Sequence, residues 1–154
     1  MLAEDAEAPR WSLEEALNDD KTIRDILRES KTIAVVGLSD NPSRPSHGVA
    51  EYLKGQGYRI IPVNPSANEV LGEMSYPDLV SIPGQVDVVD VFRRPEHVPA
   101  IVDEAIKKGA RSLWLQEGVS DPAAEEVARR AGLRVVSDTC MMHEHRRLRR
   151  SGLV

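Results

Sequence analysis

The sequence predicts a single α/β domain built on a parallel five-stranded sheet. Short, continuous apolar runs recur along the chain and alternate with stretches of helical periodicity. Strands of that kind are buried on both faces, which is the habit of parallel sheets covered by helices. The length, 154 residues, is that of one domain, and no internal repeat divides it. Hydrophobic residues make up 41% and charged residues 29%, so a globular core is expected rather than wholesale disorder. Aromatics are only 4%, so Val, Ile, Leu and Ala must build that core.

The elements follow in order. Residues 1–11 read as a flexible acidic tail and 12–154 as the domain. Ser12 and Glu15 have capping-box spacing, and Leu13, Leu17, Ile23, Ile26 and Leu27 recur at near-helical intervals. They predict an extra N-terminal helix reaching Glu29, with an interruption near Asn18-Asp19-Asp20. Thr32 to Gly37 is a first buried strand, followed by a loop rich in Pro and Ser. His47 to Gln56 is a helix, and Tyr58 to Val63 a second strand closed by Asn64-Pro65. Residues 66–85 read as irregular, with room for a short helix near 77–81. Val86 to Phe92 is the third strand. Pro95 opens a helix that Gly109 stops. Leu113 to Gln116 is the fourth strand. Asp121-Pro122 pairs an N-cap with a proline at the first helical position, and that helix runs to Ala131. Leu133 to Ser137 is the fifth strand, and a last helix runs from Cys140 to Arg150. Right-handed crossovers between these units make a doubly wound, Rossmann-like sheet, for which the order 3-2-1-4-5 is expected.

Charge and composition exclude several function classes. Twenty Lys+Arg against 25 Asp+Glu give a net charge of −5, which disfavours a nucleic-acid or anionic-membrane binder. The terminal run His145-Arg146-Arg147-Leu148-Arg149-Arg150 reads as the basic last turn of a helix, where cations complement the dipole. The single Cys140 excludes an internal disulfide and multi-cysteine metal sites. No apolar run approaches a membrane span, and the acidic start is no signal peptide. A soluble cytoplasmic protein is expected.

In such a sheet, ligands bind beyond the carboxyl ends of the strands. Gly37 ends the first strand without a side chain, so backbone can approach a phosphate closely. The following helix aims its free N–H groups at the same place. Ser39, Ser43 and Ser46 add hydroxyls, and Arg44 adds a planar cation suited to phosphate oxygens. The loop Gly37-Leu38-Ser39-Asp40-Asn41-Pro42 keeps only the first glycine of a dinucleotide fingerprint, and Asn64-Pro65 replaces the ribose-binding acid. A Walker loop is absent. A nucleotide with an extra ribose phosphate would tolerate the missing acid and favour Arg44 and Arg93; coenzyme A fits that description, and so does NADP.

Several spaced motifs then occur together and in order: Val36 to Ser39, Asn41 to Ser46, Gly57-Tyr58-Arg59, Pro62 to Pro65, Asp90 to Arg93, Trp114 to Gly118 and Cys140 to His145. Over residues 15–150 the chain resembles the small bacterial CoA-binding proteins, relatives of the N-terminal CoA-binding domain of the succinyl-CoA synthetase alpha subunit. The resemblance implies that Gly37, Leu38 and Ser39 hold phosphate through backbone amides, with Ser43 and Arg44 on the phosphates. It further implies Asn64 and Pro65 beside the nucleotide, Val91, Phe92 and Arg93 against the adenine or 3′-phosphate, and Gln116, Glu117 and Gly118 beside the pantetheine arm. It implies binding of coenzyme A or an acyl-CoA, not ligase activity, because the chain stops where that domain stops.

No catalytic constellation competes. Cys140, His143 and His145 do not share a helix face, and a tetrahedral metal would need a fourth ligand. Cys140 near a helix start leaves a redox or CoA-disulfide role open. Trp114, inside a strand, reads as core. The alternatives are an NADP-type oxidoreductase or nucleotide-sensing regulator, and a protein-interaction module with a vestigial pocket. Oligomeric state is not legible.

Overall fold

A computed structural model describes residues 19–154. The predicted tail, and the capping box at Ser12, lie outside the described residues. Helix α1 spans Asp20–Glu29, and the interruption expected near Asp19 is its start: the Asp19 carboxylate accepts from the Thr22 amide at 3.1 Å. Its apolar stripe, Ile23, Ile26 and Leu27, is buried.

The main sheet holds β1 (Thr32–Val36), β2 (Arg59–Val63), β5 (Val88–Val91), β6 (Ser112–Leu115) and β7 (Arg134–Val136). All neighbours pair in parallel. Between them run α2 (Pro45–Gly55), α3 (Val98–Lys108, entered through a 3-10 turn at Pro95–His97) and α4 (Pro122–Arg130), and α5 (Met141–Arg150) follows β7. Gly109 takes the left-handed conformation at the end of α3, as its position predicts. Asp121 caps α4 by accepting from the Ala124 amide.

Two apolar clusters cover the two faces. One joins Val36, Val63, Val89, Val91, Leu113 and Leu115 to α3 and α4. The other joins Ile33, Val35, Val88 and Trp114 to α1, α2 and α5. Trp114 is fully buried and donates its Nε1–H to the Thr139 carbonyl at 2.8 Å, so it is a core residue.

The strand order is β2-β1-β5-β6-β7. Counting the sheet's own strands, that is 2-1-3-4-5, which corrects the expected 3-2-1-4-5. The chain between β2 and β5 supplies the reason. It folds back on itself as a short antiparallel ladder, β3 (Glu69–Val70) with β4 (Glu73–Met74). Tyr76 then makes a single parallel bridge to Val63. That bridge occupies the free side of β2, where a third strand would have to lie. The next full strand therefore crosses back to pair with β1 on its other side. No helix forms at 77–81; the segment is bends and turns, with the Asp78 carboxylate holding the Ser81 amide and hydroxyl.

The basic run at the end of α5 is engaged in packing. Arg146 lies 4.8 Å above the Tyr52 ring, Arg147 pairs with Glu144 and Asp20, and Arg149 bonds Gln56. No described helix is long and apolar enough to cross a membrane.

Candidate functional site

The carboxyl ends of β1, β5 and β6 open into a cleft of about 480 Å³. Its construction starts at Gly37, whose φ is +87°. A β-carbon there would stand 2.7 Å from the Phe92 carbonyl oxygen and 3.0 Å from Arg93 Cδ. Only glycine lets the end of β5 come this close to the end of β1. The Gly37 amide donates to Val63 O at 2.9 Å, and the Phe92 amide to Val36 O at 2.8 Å. Three strand ends are thereby locked side by side.

The loop from Gly37 to Arg44 is held by its own polar groups. Ser39 N–H donates to Ser46 Oγ, Asn41 N–H to Ser39 Oγ, and the Ser43 amide and hydroxyl both donate to Asn41 Oδ1. Asn64 braces it from the end of β2: its Nδ2 donates to Leu38 O at 2.9 Å, while its Oδ1 accepts from Ser66 N–H. Of the amides of Gly37, Leu38 and Ser39, those of Gly37 and Ser39 are thus bonded within the protein. Leu38 N–H is the one without a partner among the described residues.

The structure brings eight of the sequence-derived candidates to the cleft: Gly37, Ser39, Arg44, Phe92, Arg93, Gln116, Glu117 and Gly118. The other five lie outside its lining. Leu38 and Val91 have their side chains in the core. Ser43 shapes the loop, Asn64 braces it, and Pro65 is exposed just past Asn64. Pro45, Ser46, Val49, Arg94, Pro95, Val119 and Cys140 complete the wall. Ser46 was visible in the sequence as a hydroxyl of the cradle. Arg94 directly follows Arg93 in the sequence. Val119 and Cys140 are placed there by tertiary packing, which no local pattern announces.

The electrostatics favour an anion. Arg44, Arg93 and Arg94 face one carboxylate, Glu117, in a chain whose net charge is −5. Among the described residues Arg44 and Arg93 have no carboxylate partner, and Arg94 approaches Glu96 only at 3.9 Å across open surface. The N-terminus of α2 adds its dipole, with Arg44 as the N-cap and Pro45 at the first position. On the β6 side, Gly118 N–H donates to Asp138 Oδ1 at 2.7 Å, and the Asp138 amide returns a bond to Val119 O. Asp138 itself has a positive φ of 52°. That exchange fixes the Glu117-Gly118 turn at the rim.

Behind the cleft sits Asp90. It is fully buried in the middle of β5, opposite Val35 and Trp114. Its Oδ1 meets Gln116 Nε2 at 2.9 Å, and its Oδ2 has no hydrogen-bond partner among the described residues. Burial holds this carboxyl well above the usual carboxylate range, and the Gln116 bond offsets only part of that. Asp87, by contrast, is structural: its Oδ2 accepts from Lys31 N–H and Thr32 N–H at the opposite end of the sheet.

Comparison with known proteins points in one direction. The CoA binding domain family matches residues 31–146. The chain is 42% identical to the uncharacterised protein YneT of Bacillus subtilis over 123 residues, covering 80% of this chain and 91% of YneT. It is 31% identical to the ADP-forming acetate–CoA ligase II of Archaeoglobus fulgidus over 130 residues, 75% of this chain but only 19% of that enzyme. Among solved structures, a hypothetical protein from Pyrococcus horikoshii superposes with a TM-score of 0.84 at 41% identity, covering 92% of this chain and 99% of that one.

Proposed function

The chain belongs to the CoA binding domain family, and on that premise we propose that it binds coenzyme A, or an acyl-CoA, without catalysing a reaction by itself. The observation that carries the reading is the junction of Gly37 with Phe92 and Arg93. It opens an anion-seeking cleft where a doubly wound sheet takes its nucleotide. The diphosphate would sit over Leu38 N–H, Ser39 and the start of α2, with Arg44 as its counter-charge. Phe92 and Arg93 would meet the adenosine end and its 3′-phosphate, and Gln116, Glu117 and Gly118 the outgoing pantetheine arm. Ser43, Asn64 and Pro65 would act through the shape of the loop, and Val91 by holding Phe92 in place.

The chain corresponds to about a fifth of the Archaeoglobus ligase, so that enzyme's activity is not carried over. A cytoplasmic location suits the ligand. The test is calorimetric titration with CoA, 3′-dephospho-CoA, NAD and NADP. Saturable CoA binding that weakens on loss of the 3′-phosphate supports the reading. Tight NADP binding with no response to CoA would replace it by a nicotinamide-nucleotide function, and silence with every nucleotide by an interaction role.

A further inference from the structure

Asp90 is a fully buried carboxyl that the proposed ligand contacts do not explain. Asp90 contributes no side-chain atom to the cleft, yet it is bonded to a residue that lines it. On its face of the sheet α1, α2 and α5 present Ile26, Val49, Leu53, Met141 and Leu148. The other buried ionisable side chain there, His145, is bonded to Tyr52. Among the described residues no cation compensates Asp90, and an isolated buried carboxylate neutralises rather than stay charged.

A neutral acid has a proton to donate. A glutamine amide turned end for end fills the same space but exchanges donor for acceptor. Facing a carboxylate, Gln116 must offer Nε2–H; facing the O–H of a carboxylic acid, it can offer Oε1. We propose that Asp90 is a positioning residue: its O–H donates to Gln116 Oε1 and so turns the Gln116 NH₂ toward the cleft, as a fixed donor for an acceptor oxygen of the ligand. The Gln116 donor would then match an anion or a carbonyl, in line with Arg44, Arg93 and Arg94. This rests on the reading of the cleft as a CoA site.

The chain has three glutamines, Gln56, Gln85 and Gln116, so the side-chain amide signals are readily assigned by NMR. Three proteins are compared: wild type, Asp90→Asn, which keeps a neutral donor, and Asp90→Leu, which keeps only bulk. Should Asp90→Leu not fold, Asp90→Ala replaces it. Calorimetry with CoA and the Gln116 amide signals are recorded for each. Asp90→Asn is expected to bind CoA as wild type does. The apolar variant is expected to stay folded, bind about tenfold more weakly and show a displaced Gln116 amide signal. Undiminished affinity in the apolar variant, or an unmoved Gln116 signal, overturns the proposal. If no protein binds CoA while the Gln116 signal still follows Asp90, the ligand reading falls and the orientation of Gln116 by Asp90 stands.

Discussion

Gly37 and Phe92 meet so closely that the Phe92 carbonyl oxygen occupies the place of a side chain on Gly37. A β-carbon would lie 2.7 Å from it, at a backbone φ of +87°. Both the close approach and the left-handed conformation exclude any other residue without movement. Gly37→Ala is therefore expected to lower stability by ~1–3 kcal/mol and to abolish CoA binding, because relief must come from the strand ends that form the cleft. Thermal unfolding and calorimetry on the same sample check it. A destabilised variant that still binds CoA as wild type does would show that the junction only supports the fold.

Arg44 tests the charge. It is exposed, and among the described residues no carboxylate holds it. Arg44→Ala should leave the melting temperature within a degree or two while weakening CoA roughly ten- to a hundredfold, the range of a charge-assisted contact. Arg44→Lys should recover part of the loss, since it keeps the charge but not the planar fork. Unchanged affinity in Arg44→Ala would remove Arg44 from the site.

Asn64 separates shape from contact. Its amide bridges Leu38 O and Ser66 N–H, so Asn64→Ala frees the phosphate loop without touching the cleft wall. The expected result is a stability loss of about 1 kcal/mol together with several-fold weaker CoA binding. A purely structural role would give the first effect without the second.

How much of this could be read from the sequence depends on the range of the forces involved. Thr32–Val36 and Val88–Val91 are legible as strands because burial on both faces demands continuous apolar runs. Asp121-Pro122 and Gly109 are legible because caps are local chemistry. Strand order is not legible because it depends on what lies beside β2, and the Tyr76–Val63 bridge leaves no mark in the local pattern. The ladder of β3 and β4 has two residues per strand, too few for any periodicity to register. At the site, Gly37, Ser39 and Arg44 stand out because they follow a strand. Cys140 reaches the same cleft because Thr139, just before α5, is bonded to Leu115 and Trp114 of β6. Asp87 and Asp90 look alike in the strand sequence, but three residues apart they point to opposite faces. One caps the start of β1, and the other is sealed behind the cleft.

His145 gives the fold a dependence on pH. Its Nδ1 lies 2.9 Å from the Tyr52 hydroxyl, and the Tyr52 and Tyr58 rings meet it edge-on. Burial, and secondarily the Arg149 charge, lower its pKa below the usual 6.5. The unfolded chain therefore takes up the proton first as pH falls. Between the unfolded value and the lower folded one the unfolded state binds more protons, so stability must decline as pH drops below about 6.5. Asp90 acts in the opposite sense, because its raised pKa makes the folded state the better proton binder as pH rises above the carboxylate range. The two contributions are separable by mutation. His145→Gln should flatten the decline between pH 6.5 and 5 relative to wild type. Asp90→Asn should stabilise the protein increasingly as pH rises from 4 toward 7. Denaturant melts of the three proteins across that range check both. A wild-type loss between pH 6.5 and 5 that persists unchanged in His145→Gln would move the acid sensitivity to another group.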